Sequence, residues 1–134
     1  MIPIDRQDVG ILMEAGYIYL GMGLFEEARE VFDGVLVLSP ESEIALVAIG
    51  TVHFAMMKYE QAVRSYKKAL KRNTDSPFAH AYLGEVLFFK GDRGVAKGEL
   101  EKASTLDPNG AAGNFARSLL DAIRNGFEPP KRVS

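Results

Sequence analysis

The sequence predicts an all-α protein in which three helix pairs follow one another and a seventh helix closes the array. The first observation is a period of 34 residues, at which three glycines and three alanines recur: Gly16, Gly50 and Gly84, and Ala28, Ala62 and Ala96. The second concerns the middle unit, where residues 44–57 are apolar on almost every side and residues 59–72 have one apolar and one basic face. A helix that is apolar all round must be covered on several sides, so this unit needs neighbours before and after it.

The repeat divides the chain into units of residues 9–42, 43–76 and 77–110. In each unit the glycine lies in the first helix, where a minimal side chain lets the second helix approach closely. The alanine serves the same crossing from the second helix. One large residue per unit then fills the space between the helices, at Phe32, Tyr66 and Leu100. Pro40 and Pro108 close the first and third units, as proline does near helix boundaries.

Residues 111–126 are predicted to form the closing helix. Its apolar positions recur at helical spacing on one stripe, at Phe115, Leu119, Ala122 and Ile123. Gly126 then ends the helix. We expect one domain over residues 9–126, an irregular lead-in over residues 1–8 and a flexible tail over residues 127–134.

Composition excludes several classes of protein. The chain has 134 residues, a formal net charge of −2 and 47% apolar residues, which is typical of a single globular domain. It has no cysteine, so disulfides, thiolate metal sites and a cysteine nucleophile are excluded. The longest apolar stretch, residues 44–57, is too short to cross a bilayer, and the first residues do not resemble a secretory signal. A cytoplasmic location is therefore expected.

The residues at the repeat positions resemble those of the tetratricopeptide repeat family, whose members are binding scaffolds rather than enzymes. The stretch AIGTVHFAMMKYEQAVRSY in the second unit and SLLDAI near the end are further similar to the class II chaperones of bacterial type III secretion. This resemblance implies a right-handed α-solenoid of three tetratricopeptide helix pairs plus a C-terminal capping helix. It also implies a chaperone that holds a translocator subunit before export, without a cofactor. Such chaperones usually carry an N-terminal helical segment for self-association; only eight residues precede the first unit, so self-association stays open.

In a stacked helical array the first helices of the pairs line the concave side. In each of these helices, residues that do not pack against the second helix of the pair recur at i, i+4 and i+7. Three further residues lie beside these positions. These predicted groove residues are Met13, Tyr17, Leu20, Ile44, Val47, Thr51, Phe54, Phe78, Ala81, Glu85, Phe88 and Phe89. They are mostly apolar and aromatic, with Glu85 the only charged member, which favours a peptide anchored by aliphatic or proline side chains.

Two other interpretations of this surface differ in their chemistry. A groove that grips a C-terminal carboxylate would carry Lys, Arg and Asn, because a buried carboxylate needs charge-assisted donors. The matching positions hold Met13, Tyr17, Val47 and Thr51, so this interpretation fails. The second alternative, that some groove residues are core between repeats, stays open, for Ile44 and Phe78 above all.

The titratable residues do not predict catalysis or metal binding. Neither His53 nor His80 has a carboxylate or a second histidine one turn away, so both are expected to be structural. The strongest charge feature is a basic stripe on residues 59–72, formed by Arg64, Lys67, Lys68, Lys71 and Arg72. It predicts either an anionic partner or a solvated back face balanced by acids of the preceding unit, at Glu26, Glu27, Glu30 and Asp33. No aromatic residue interleaves the stripe, so nucleic acid is not favoured.

Three functions therefore stay open from the sequence. The first is a cytoplasmic chaperone for a secretion client, and the second is a general adaptor that joins partners of an assembly. The third is a binder of an anionic partner through the basic stripe. An enzyme is not expected.

Overall fold

The computed structural model describes residues 6–130, and their side chains from residue 8 onward. Within this range all regular structure is helical, in seven α-helices: α1 (Arg6–Gly21), α2 (Phe25–Leu38), α3 (Glu43–Ala55), α4 (Tyr59–Arg72), α5 (Pro77–Phe89), α6 (Arg93–Leu106) and α7 (Ala111–Arg124). The predicted three pairs and closing helix are therefore present. The helices form two compact units, an N-terminal unit that ends at Arg72 and a C-terminal unit that begins at Asn73.

In the N-terminal unit, each pair crosses closely at the glycine of its first helix. A Cβ atom on Gly16 would lie 2.3 Å from the ring of Phe32, and one on Gly50 would lie 2.5 Å from the ring of Tyr66. Both rings are buried, so the crossing predicted from the period of 34 residues is confirmed. The first pair and α3 share a core, which contains Met13, Ala28, Phe32, Val35, Ala45, Ala48, Ile49 and Val52.

Local signals start the helices and turn the chain within each pair. The hydroxyls of Ser42 and Ser76 accept hydrogen bonds from backbone N–H groups in the first turns of α3 and α5, as N-cap residues do. The turns inside the pairs use left-handed backbone at Gly23, Met57 and Gly91, with φ of 76°, 62° and 95°. Glycine adopts this conformation without a steric penalty, whereas Met57 does so with strain.

In the C-terminal unit, α7 packs against both α5 and α6. The third pair repeats the close crossing, because a Cβ atom on Gly84 would lie 2.7 Å from Cγ of Leu100. The start of α7 also approaches α6 closely: a Cβ atom on Gly113 would lie 1.7 Å from the carbonyl oxygen of Asp107. Glycines therefore allow the close approach of α5 to α6 and of the start of α7 to the residue that caps α6.

The buried residues of α7 coincide with the predicted stripe only at Ile123. Its buried residues are Ala112, Gly113, Ala116 and Ile123, whereas Phe115, Leu119 and Ala122 are half-buried. The prediction followed the large apolar side chains, but close approach to neighbouring helices favours the small ones.

Structure is present within the predicted lead-in and within the first part of the predicted tail. Helix α1 begins at Arg6, so the end of the predicted lead-in is helical, and residues 1–5 lie outside the described range. The predicted flexible tail begins with two residues that have contacts: the rings of Phe127 and Phe88 are 5.8 Å apart, and Glu128 pairs with Arg93. Residues 131–134 lie outside the described range. None of the described helices is both long and apolar enough to cross a membrane.

Candidate functional site

The predicted groove residues of the N-terminal unit divide into buried and accessible ones. Met13 and Val47 are buried in the core, so neither presents a surface to a ligand. Five others are half-buried or exposed and define what we call the front face: Tyr17, Leu20, Ile44, Thr51 and Phe54. Ile44 is the most accessible of them, with 61% of its surface exposed, and Tyr17 is 43% exposed.

The front face is held in place by contacts with the paired helices. The ring of Tyr17 meets the buried ring of Phe32 edge-on at 5.2 Å, and the ring of Phe54 stacks on Tyr59 at 5.5 Å. Each aromatic side chain is therefore supported on one side and accessible on the other. Such rigid aromatic groups lose little conformational entropy when a ligand covers them.

Thr51 connects the front face to the core. Its hydroxyl donates to the carbonyl oxygen of Val47 at 3.1 Å and lies 3.2 Å from the hydroxyl of Tyr66. Because a threonine hydroxyl has one proton, the Tyr66 hydroxyl is the donor in the second bond. Thr51 thus orients the ring that packs on Gly50.

In the C-terminal unit an aromatic row runs from α5 to α7. Phe78, which is 41% exposed, lies 5.8 Å from Tyr82, and the ring of Tyr82 meets Phe115 of α7 edge-on at 5.5 Å. Burial and the neighbouring Glu85 raise the pKa of Tyr82. Tyr82 is not among the predicted groove residues. Its contact with Phe115 joins two helices, and the helical period of α5 alone cannot reveal such a contact.

Glu85 is the only charged residue among the predicted groove residues, and it is half-buried. Burial raises its pKa from 4.5 to about 7. The carboxyl group forms no ion pair with any residue in the described range. It is therefore partly protonated near neutral pH and can act as a hydrogen-bond donor or acceptor toward a ligand.

The remaining predicted groove residues of α5 are mostly covered. Ala81 is fully buried, and Phe88 is only 1% exposed. The Arg93 guanidinium lies 5.5 Å from the centre of the Phe88 ring, and Phe127 packs beside it. Phe88 is thus a core side chain in this structure, whereas Phe89 is half-buried. The helical period could not reveal this cover, because Phe127 lies beyond the last helix.

The two histidines have structural partners far away in the sequence. Nε2 of His80 donates to the carbonyl oxygen of Thr74 at 2.7 Å, and Nδ1 lies 2.6 Å from the carboxylate of Glu99. Both ring nitrogens of His80 are therefore bonded to groups of the protein. The description of His80 as structural agrees with this geometry, but its partner Glu99 could not be found from helical spacing.

His53 is also engaged, by Arg29, which donates to its Nε2 at 3.1 Å. Burial, followed by the charges of Arg29 and Lys58, lowers the pKa of His53, so the ring is neutral near pH 7. Its Nδ1 then carries the proton and is buried without a partner in the described range. No group of three potential ligands for a metal ion occurs among the described residues.

Sequence comparisons point to one repeat family. Residues 9–42 and 44–76 match the family model of the tetratricopeptide repeat. Among curated proteins, superkiller complex protein 3 of Homo sapiens is 27% identical over 103 residues, which cover 73% of this chain. The chain spans about 7% of the length of that relative.

Solved structures show the same fold. The type III secretion translocator chaperone SycD of Yersinia enterocolitica superposes with a TM-score of 0.79 and 24% identity, over 90% of this chain and 92% of that chain. SycD in complex with a peptide of the translocator YopD superposes with a TM-score of 0.75 and 23% identity, over 92% of this chain and 98% of that chain. The predicted all-α fold of three helix pairs and a closing helix is confirmed.

Proposed function

This chain belongs to the tetratricopeptide repeat family, and we propose that it is a cytoplasmic chaperone that holds a peptide segment of a translocator-type secretion client against the first helices of its pairs. The front face of α1 and α3 carries this proposal, because Tyr17 and Ile44 present aromatic and aliphatic surface to solvent. In the C-terminal unit, Phe78 and Glu85 of α5 occupy the repeat positions that correspond to Ile44 and Thr51. The chain acts by binding and not by catalysis.

The chemistry of the front face selects the client. Ile44 and Phe54 offer apolar surface, and Tyr17 adds an aromatic ring with a polar tip, so aliphatic or proline side chains are the preferred anchors. Each anchor that becomes buried contributes roughly 1.5–3 kcal/mol. Four or five anchors, less the cost of association, correspond to an affinity in roughly the micromolar range. Half-buried Glu85 adds preference for a client residue that donates a hydrogen bond or carries positive charge.

The relatives support this proposal through what their names describe. SycD is a type III secretion translocator chaperone, and one of its structures holds a peptide of the translocator YopD. The low identity limits the likeness to the fold, so the client class rests on the apolar front face together with that fold.

The proposal is tested by co-expressing the protein with a candidate translocator-type client. We expect the wild type to keep the client in the soluble fraction and to co-purify with it. Ile44→Arg and Phe54→Arg place a charge on the front face, and each should reduce client recovery strongly. Phe78→Arg extends the test to α5, whereas Phe88 is unsuitable because a buried arginine would unfold the C-terminal unit.

The matched control is Val95→Arg on α6, since Val95 is similarly exposed but lies outside the predicted groove residues. Circular dichroism establishes that all four variants are folded. Unchanged client recovery with Ile44→Arg and Phe54→Arg would contradict the proposal. Equal losses with Val95→Arg would contradict it as well.

A general adaptor is the second candidate, favoured by the similarity to superkiller complex protein 3. An adaptor and a chaperone differ in what happens to the client alone. If the client is equally soluble with and without this protein, yet both co-purify, the adaptor function replaces the chaperone function.

A further inference from the structure

A cleft on the back of the N-terminal unit combines an apolar floor with a basic rim. One cavity of about 290 Å³ is lined by Leu36, Pro40, Leu46, Lys68, Lys71 and Arg72. A second cavity of about 180 Å³ shares Leu36, Leu46 and Lys68 with the first and extends to Ile49 and Arg64. The two cavities therefore form one continuous feature between α2, α3 and α4, which we call the basic cleft.

The cations of the basic cleft are not neutralised by the acids that the sequence suggested. Arg64, Lys68 and Lys71 are exposed and form no ion pair with any described residue. Of the acidic residues on α2, Asp33 pairs with Arg29 of its own helix at 3.0 Å. Glu26, Glu27 and Glu30 form no ion pair with α4. The predicted balance by α2 therefore involves no direct ion pair between those acids and Arg64, Lys68 or Lys71.

Two counter-charges do lie at the cleft, and neither removes its positive character. Asp33 lines the second cavity but is held by Arg29, and Glu41 pairs with Arg72 at 3.4 Å. Each of these acids is matched by a cation of its own. The three remaining cations, Arg64, Lys68 and Lys71, are unmatched and follow one another along α4.

We propose that the basic cleft is a second docking site, independent of the front face, for an acidic protein segment that carries an aliphatic side chain. Charge complementarity identifies the acidic part of this partner. Arg64, Lys68 and Lys71 recur at i, i+4 and i+7, so they span about 10 Å along the helix. Acidic side chains one turn apart on a partner helix have the same spacing.

The apolar floor of the basic cleft indicates the aliphatic side chain of the partner. It also favours an acidic protein segment over anions that have no apolar group. Leu36, Leu46 and Ile49 offer apolar contact to a leucine- or isoleucine-sized group. Neither cavity is lined by a phenylalanine, tyrosine or tryptophan in its described part, and His53 in the second cavity is held by Arg29, so nucleic-acid bases would find no large stacking surface there. An acidic amphipathic segment uses both the rim and the floor.

The test uses a fluorescein-labelled peptide built from a repeated Leu-Glu-Glu unit, titrated with the full-length protein and followed by fluorescence anisotropy. We expect saturable binding that weakens with added salt, since the ion pairs form at the surface. The double variant Lys68→Glu and Lys71→Glu should lower the affinity roughly tenfold or more. The control double variant Lys97→Glu and Arg124→Glu changes the net charge equally on other helices and should bind like the wild type.

Two comparison peptides separate the rim from the floor. A peptide with glutamine in place of glutamate and one with serine in place of leucine should both bind more weakly than the parent. The proposal is overturned if the parent peptide shows no saturable binding, if the serine peptide binds equally well, or if the control variant loses as much affinity. It is also overturned if a single-stranded oligonucleotide or phosphatidylserine vesicles bind more tightly than the peptide and lose this binding in Lys68→Glu and Lys71→Glu.

Discussion

Replacing Glu85 with glutamine should change how the stability of the protein depends on pH. Glu85 is half-buried on α5, and burial raises its pKa from 4.5 to about 7 in the folded protein. In the unfolded chain the carboxyl group regains water and titrates near its ordinary value. The folded state therefore holds the proton more tightly than the unfolded state does.

The sign and magnitude follow from this difference in proton affinity. Below about pH 4.5 the group is protonated in both states and carries no penalty. As the pH rises from about 4.5 to about 7, the unfolded chain releases this proton while the folded protein retains it, so the stability falls. Above about pH 7 the carboxyl group is ionised in its apolar surroundings and the full penalty applies. A tenfold change in proton affinity is worth about 1.4 kcal/mol, so the full penalty is about 3 kcal/mol, and residual solvent contact reduces it to about 2–3 kcal/mol.

Urea denaturation of wild type and Glu85→Gln at about pH 5 and about pH 8 measures this effect. We expect the variant to be more stable than the wild type by about 2–3 kcal/mol at the higher pH and by much less at the lower pH. Glu101→Gln, at an exposed position of α6, is the control and should change the free energy of unfolding by less than about 0.5 kcal/mol at either pH. A difference between wild type and Glu85→Gln that is the same at both pH values would refute the reasoning.

Two further predictions concern backbone positions. Gly50→Ala should lower the free energy of unfolding by about 1–2 kcal/mol, because the new Cβ atom would lie 2.5 Å from the buried Tyr66 ring and overpacking outweighs the gain in helix propensity. Gly34→Ala is the control, because no atom lies within 4 Å of the new Cβ, and it should raise the free energy of unfolding by about 0.5–1 kcal/mol. Equal shifts of the two variants in urea denaturation would contradict the close crossing at Gly50. Met57→Gly should raise the free energy of unfolding by about 1 kcal/mol, since the left-handed backbone at φ 62° strains methionine. The same change at Met56, whose φ is −85°, should lower it, and thermal unfolding that ranks the two variants in the opposite order would show that Met57 is not strained.

Much of the fold could be predicted from the sequence because one geometric requirement recurs. Each pair needs a glycine where its second helix crosses, and each crossing leaves room for one large side chain. Gly16 with Phe32 and Gly50 with Tyr66 show that spacing within a pair is enough to identify both partners. The left-handed turn at Met57 also lies in register with Gly23 and Gly91, although methionine itself gives no signal of that conformation.

The candidate site could be predicted only in part, because helical period describes one helix at a time. The helical period separates residues that face the paired helix from residues that do not. It does not show whether a further helix or the C-terminal tail covers the second group. Val47 and Phe88 are predicted groove residues, as Ile44 and Phe54 are, yet Val47 and Phe88 are buried. In the same way, the bond between His80 and Glu99 joins residues 19 positions apart on different helices.

The contact of Phe127 with Phe88 means that the protein carries its own competitor for one aromatic position of α5. Any client side chain that contacts Phe88 must first displace Phe127 and release the pair between Arg93 and Glu128. Because Phe127 is tethered only a few residues beyond α7, its local concentration at Phe88 far exceeds that of a free peptide. A client side chain that binds at Phe88 therefore replaces Phe127. The free energy of this binding is the contact energy of the client side chain less that of Phe127.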